Sequence, residues 1–288
     1  MNLGLSLSGG GIKGAAHIGV LKAIEEEKIK INYISGTSSG SIVATLYAIG
    51  YTPDQILKIF KQYGKNIKYY DYKNLIKLIL GIIVKRKIII EGLTDGKIIE
   101  KLIYEKCKEK NIINIKDTKI PLLIPAVNMY NGEIYFFSTK LKRNTFSNNI
   151  KYLDNIKLAS AVRASCSYPG VFTPYKLNGN KLIDGGIREN IPWKGLKEIG
   201  AEKIIGVIFE KEIKDKIKIN IIDVIESSIN IMGHELNNYE INGLNNIIKI
   251  KTKNIKLLDN TKINELYLNG YKQAKEQLKL IKQKIIYN

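Results

Sequence analysis

Three short clusters in this sequence could do chemistry together: Gly9-Gly10-Gly11-Ile12-Lys13-Gly14, Gly36-Thr37-Ser38-Ser39-Gly40 and Asp184-Gly185-Gly186. The second is a G-x-S-x-G pattern, in which a serine sits on a turn tight enough to crowd the positions two before and two after it. Gly36 and Gly40 occupy those positions. At the start of a helix, Ser38 would meet exposed N–H groups that stabilise developing negative charge, which suits a nucleophile in acyl transfer. The backbone N–H groups of Gly10 and Gly11, with Ile12 as a third candidate, could supply oxyanion donors, because a residue without a side chain lets substrate approach closely.

Such a serine needs a base, and the chain offers only His17 and His234 as histidines. His17 falls among helix-core positions and reads as structural. The order Ser38, Asp184, His234 is that of an α/β-hydrolase triad, but the stretch 230–235 around His234 has no turn chemistry and Ser38 comes too early for that fold. Asp184, closing the apolar run Leu182-Ile183, is the better base candidate. A free aspartate is a feeble base near neutral pH, so this reading requires a partly desolvated site that raises its proton affinity or orients the hydroxyl.

Other readings of the glycine cluster fit less well. It matches G-x-G-x-x-G between a strand and a helix, as a dinucleotide site would, but the second strand ends in Ile34-Ser35 without the acidic residue that holds a ribose hydroxyl. No Gly-Lys-Ser/Thr closes a phosphate-binding loop. The stretch from Asp259 to Glu265 lacks the glycine and the spacing of a calcium loop, so no metal is expected.

The elements that must position these residues can be traced from periodicity. Residues 3–7 form a short apolar strand, and 15–27 carry Ile18, Leu21 and Ile24 at helical spacing; 29–35 read as a second strand and 41–49 as a buried helix. Two consecutive β-loop-α units with a right-handed crossover place both loops at one edge of a parallel sheet. Helices follow Pro53, Thr94-Asp95-Gly96, Asp154 (as a cap) and Pro192, with hairpins at Asn131-Gly132 and Asn178-Gly179-Asn180 and a late strand over 203–209. A C-terminal helix presents Tyr271, Ala274, Leu278, Ile281 and Ile285 on one side and lysines elsewhere. This alternation predicts a three-layer α/β/α fold with a mostly parallel central sheet, and no linker divides the 288 residues into more than one domain.

The chain carries 46 Lys and Arg against 27 Asp and Glu, a net charge of +19. Only four of the basic residues are arginine, fewer than a phosphate-reading surface leans on, and no nucleic-acid recognition motif is present. The charge favours attraction to an anionic membrane surface. Cys107 and Cys166 form no disulfide framework or zinc set, so a reducing compartment is expected. The first residues lack the pattern of a signal peptide and no segment is long enough to span a bilayer. These features give a cytoplasmic location, peripheral to the inner face of a membrane, with signal-less export as an alternative.

The three clusters, in this order, resemble the signatures of patatin-like phospholipases. The stretch from Arg163 to Phe172 and Asn190-Ile191-Pro192 are similar to that family's intervening and following segments, so the resemblance covers residues 3–195, with 196–288 completing the fold. It implies Ser38 as nucleophile, Asp184 as its base in a dyad without histidine, and Gly9, Gly10 and Gly11 as the oxyanion loop. Lys13, Gly14, Gly36, Gly40, Gly185 and Gly186 support the motifs, with Lys13 at a basic position that is often arginine. The implied activity is hydrolysis of phospholipid or lysophospholipid acyl esters without metal or cofactor. Acyl transfer at the same site, or lipid binding without turnover, are the alternatives.

The least family-like stretch, 69–90, contains an apolar run ringed by Lys73, Lys77, Lys85, Arg86 and Lys87, which fits either a core element or a lid dipping into headgroups. As a lid, it predicts that Ile82→Ser with Ile83→Ser lowers activity on vesicles more than on a soluble ester; equal loss on both substrates would exclude it.

Overall fold

The computed structural model describes residues 2–66, 76, 90–141, 149–210, 221–252, 255 and 259–287. Apart from Ile76 and Ile90, the stretch 69–90 with its proposed lid lies outside the described residues.

The chain runs β1 (Leu3–Leu7), α1 (Gly14–Glu26), β2 (Tyr33–Gly36), α2 (Ser39–Ala48), α3 (Pro53–Asn66), α4 (Lys97–Glu109), β3 (Leu122–Asn128), β4 (Ile134–Ser138), β5 (Ile150–Leu153), α5 (Leu158–Ser165), β6 (Tyr175–Leu177) and β7 (Asn180–Asp184). It continues through α6 (Trp193–Glu198), β8 (Lys203–Phe209), α7 (Ile221–Glu240), β9 (Asn246–Ile250) and α8 (Ile263–Tyr287). The sheet follows the order β5-β4-β3-β2-β1-β8-β9, with β7 added to β3 and β6 to β7. From β3 to β9 that path is parallel, whereas β4, β6 and β7 enter through antiparallel pairings. β1, β3 and β4 are buried along their whole length, as strands covered by helices on both faces must be. One core lies under α1, α2, α5 and α8; the other, smaller, gathers Phe136, Trp193, Leu196 and Leu244.

The site follows from two features of this topology. The chain leaves β1 toward β2 on one side and returns to β8 on the other, so a crevice opens at the carboxyl ends of these strands, where ligands bind in open α/β sheets. Leu7 pairs with Gly36, which brings the loops after β1 and β2 level. The second feature is that β2 and β7 share one edge of β3 from opposite directions. Ser35 pairs with Leu123 and Asp184 with Ala126, so the two strands end nearly head-on.

Several expectations are adjusted. β2 begins at Tyr33 and includes Gly36, later than residues 29–35 imply. Asp154 does not cap α5, whose N-cap is Lys157 with no side-chain bond; β5, absent from the sequence reading, ends just before it. The C-terminal helix buries Ala274, Leu278, Ile281 and Ile285 as its stripe requires. Asp259 caps a short 3-10 turn by accepting from Thr261 N–H, and the described residues contain no metal-holding cluster.

α8 closes against α1 with no room for side chains at the crossing. A methyl group on Gly19 would stand 2.1 Å from Tyr267 O, and one on Gly270 2.2 Å from Ala16 O. Separating the helices would open part of the larger core, so Gly19→Ala or Gly270→Ala should destabilise the protein by about 3 kcal/mol. Gly233, with nothing within 4 Å of its added methyl, should accept Ala with a gain of up to about 1 kcal/mol. Urea unfolding of the three variants checks both statements.

Candidate active site

Ser38 sits between the end of β2 and the start of α2 with φ 52° and ψ −122°, a conformation side chains rarely adopt. Such backbone typically costs about 1–3 kcal/mol and persists where its surroundings over-determine it. Here its own N–H donates to Ser165 Oγ at 3.0 Å, and its carbonyl accepts from Ser41 Oγ at 2.6 Å. Thr37 donates its N–H to Leu7 O and its hydroxyl to Glu189 O. The glycines two residues away on either side are required by contact: a methyl on Gly36 would lie 2.3 Å from Gly40 O, and one on Gly40 2.6 Å from Leu7 O and Ser8 O. Both flanking positions therefore exclude a side chain by direct backbone contact.

Asp184 ends β7 and is 3% exposed. Its Oδ1 accepts Gly186 N–H at 2.8 Å. Burial raises its pKa to about 6, against the opposing pull of the Ser38 side chain and of the Gly186 amide. Ser38 is therefore close enough to stabilise the carboxylate, yet Oδ2 has no hydrogen bond of standard geometry; the pair is near but not fully joined. This meets the requirement that an aspartate base be desolvated. Cys166, in the same wall, is held as a neutral thiol, its pKa pushed up to about 12 by burial.

Gly9, Gly10 and Gly11 lie beside Ser38 and lead through a 3-10 turn, which includes Lys13, into Gly14 at the start of α1. Gly9 donates its N–H to Asn190 Oδ1 at 2.9 Å. The amides of Gly10 and Gly11 have no such partner among the described residues, which leaves them for a ligand. His17 is fully buried behind this loop, donating Nε2–H to Ser8 O at 2.8 Å and packing on Phe209. Burial lowers its pKa to about 4, so it is neutral at pH 7 and structural. His234, on α7, reaches the same cleft as Ser38 and Asp184.

That cleft holds about 210 Å³ and mixes apolar with polar lining. Ile42, Phe60, Ile99, Val171 and Phe172 are among its apolar lining residues, and Lys13, Asn230, His234 and Asn237 among its polar ones. The loop bearing Val171 and Phe172 is tied down by Arg163, 2% exposed, which donates to Thr173 O, Asp95 O and Ser167 Oγ.

The sequence reading assigned no role to Ser165, Glu189, Asn190 or Glu240, which brace the three motifs. Ser165 and Asn190 carried a signal, each as part of a family-like segment; Glu240, fifty residues beyond Asn190, carried none. Burial raises the pKa of Glu240 to about 8 and that of Glu189 to about 7.

A strained serine at a helix start, a desolvated aspartate and a glycine loop thus share one cleft. The family model for patatin-like phospholipase matches residues 5–197. This chain belongs to the patatin-like phospholipase family. Among its relatives are the Bacillus subtilis protein YqhO, which is uncharacterised, 31% identical over 76% of this chain and 75% of that one. The lysophospholipase NTE1 of Eremothecium gossypii is also 31% identical, over 71% of this chain but only 12% of that much longer protein. The patatin-like fold is shared with VipD from Legionella pneumophila, at TM-score 0.51 and 16% identity over 96% of this chain and 67% of that one. ExoU in its complex with SpcU from Pseudomonas aeruginosa gives TM-score 0.51 and 18% identity, over 97% of this chain and 51% of that one.

The raised pKa of Asp184 has a consequence for stability. The folded state keeps this proton between about pH 4 and 6, where the unfolded chain has released it, so stability falls as pH rises through that window. Asp184→Asn removes the burial of charge. Above pH 6 the variant should be more stable than the native chain, by up to about 3 kcal/mol, with the difference vanishing below pH 4. Thermal unfolding across pH 3.5–8 checks it, as an order-of-magnitude range.

Proposed function

We propose that this protein is a lipid acyl hydrolase of the phospholipase A or lysophospholipase type, working through a Ser38–Asp184 dyad. Membership of the patatin-like phospholipase family and similarity to NTE1 lysophospholipases support hydrolysis of lipid esters. The observation that carries the dyad is the buried Asp184 beside Ser38, with its proton affinity raised toward neutral pH.

In this mechanism the Ser38 hydroxyl attacks the ester carbonyl while Asp184 takes its proton, and the oxyanion is met by the amides of Gly10 and Gly11 and by the N-terminal end of α2. Collapse breaks the ester bond, and the leaving alcohol takes the proton from Asp184. Water, deprotonated by Asp184, then attacks the acyl-enzyme and releases a fatty acid with Ser38 restored. The apolar lining of the cleft accommodates the acyl chain, and the polar lining faces the headgroup. No metal or cofactor enters these steps. The charge of +19 draws the protein to anionic lipid surfaces, an attraction that salt weakens. Among the described residues no helix is long and apolar enough to cross a membrane.

The test is fatty-acid release from anionic phospholipid vesicles and turnover of a short-chain p-nitrophenyl ester, with chelator present. Ser38→Ala and Asp184→Asn should each lower turnover by about a thousandfold or more. His234→Ala should change KM and leave kcat within about threefold; abolition of turnover in a folded His234→Ala protein would replace the dyad by a triad. For the native chain, kcat/KM should rise with pH to a plateau above about 6 as Asp184 loses its proton.

A further inference from the structure

The three motif loops meet at one short segment, residues 189–191, that belongs to none of them. Glu189 O accepts the hydroxyl of Thr37, next to the nucleophile, at 2.7 Å. Asn190 Oδ1 accepts Gly9 N–H at 2.9 Å and stands 3.2 Å from where a methyl on Gly186 would be. The same oxygen would be 2.8 Å from a methyl on Gly9, so the glycine loop is pressed between Asn190 and Ser38. This segment thus touches the elbow, the glycine loop and the aspartate turn.

What holds the segment is the last turn of α7. Glu240 Oε1 accepts Asn190 N–H and Oε2 accepts Ile191 N–H, both at 2.9 Å, and Glu240 O accepts Trp193 Nε1–H at 2.7 Å. Asn237, one turn earlier, accepts Asn190 Nδ2–H at 2.7 Å. That bond decides which way the Asn190 amide faces: with Nδ2 engaged by Asn237, Oδ1 is the atom left for Gly9. Glu240 is 6% exposed, and a carboxyl group is a demanding thing to bury where an apolar side chain would pack. A carboxyl group has the right shape to receive two successive backbone N–H groups; a single-acceptor side chain can take one.

We propose that Glu240 is a positioning residue for the oxyanion loop, acting through Asn190 on Gly9, so that the direction of the neighbouring Gly10 and Gly11 amides is set from α7. This inference rests on the acyl-hydrolase reading above. Oxyanion donors act only when aimed at the place where charge develops, and a displacement of about 1 Å can lower a rate by about a hundredfold. Glu240→Gln replaces one acceptor oxygen by an NH2 that confronts a backbone donor, freeing one end of the clamp. Asn190→Ala removes the acceptor for Gly9 itself.

The experiment uses the full chain and a soluble p-nitrophenyl ester, with active sites counted by a fluorophosphonate that labels the reactive serine, so that unfolded protein does not enter the rate. Glu240→Gln and Asn190→Ala should each lower kcat per labelled site by about tenfold or more, with KM within about twofold. Because both act on one chain of bonds, the double variant should fall no further than about the worse single variant instead of multiplying the two losses. If kcat per site stays native, if KM alone rises, or if the losses multiply, the positioning role is overturned while the acyl-hydrolase reading stands. Failure of the native chain to label and to turn over would remove both. Should Glu240→Gln not fold, Asn237→Leu breaks the same chain at the Asn190 amide and is expected to lower kcat per site in the same way.

Discussion

The site depends on two strands that end against each other. β2 and β7 occupy the same edge of β3 and approach from opposite ends, so whatever follows the first must turn sharply away to avoid the second. That collision is resolved by the strained turn at Ser38 on one side and the glycine turn after Asp184 on the other. Ser38 and Asp184 are therefore neighbours because of backbone pairing, and their side chains need only complete a proximity that the sheet imposes. Register matters accordingly, since a slip of one residue on β7 would turn the aspartate to the opposite face of the sheet.

Holding this arrangement requires features that oppose stability when taken singly. A residue with a side chain is kept at positive φ, a carboxylate is buried beside it, and two more acids, Glu189 and Glu240, are buried behind. Asp184 and Glu240 are offset by local N–H donors and Glu189 by the charges of Lys194 and Arg188, all under the packing of helices over both faces of the sheet. Arg163 shows the same logic in the opposite sign: a buried guanidinium satisfied by carbonyl and hydroxyl oxygens, so that it fixes the cleft wall without an acidic partner at hydrogen-bond distance. Rigid, fully bonded surroundings are what allow a few strained atoms to remain where substrate must find them.

Much of this was readable in the sequence because local rules generate it. The G-x-S-x-G elbow, the glycine loop and the alternation of strands and helices express short-range sterics and periodicity, and they led to Ser38, Asp184 and a mostly parallel sheet. His17 was legible as structural from its place on an apolar helix. One failure is local in cause and the others are long-range. Asp154 is a good capping residue by type, but the strand β5 runs through 150–153 and moves the helix start to Lys157. The engagement of Gly9 by Asn190 could not be read, because it joins residues 181 positions apart through a side-chain amide. Glu240 is harder still: at the end of a helix among Asn237, Asn238 and Tyr239 it looks like a solvated acid, and only the fold shows that it is buried.

The crossing of α1 and α8, where glycine meets backbone in both directions, ties the end of the described chain to its beginning. α1 starts immediately after the glycine loop and the 3-10 turn that ends it, so the far end of the loop is anchored to a helix that α8 covers. A change that loosened this crossing would therefore be felt at the glycine loop, although neither glycine of the crossing belongs to the three motifs.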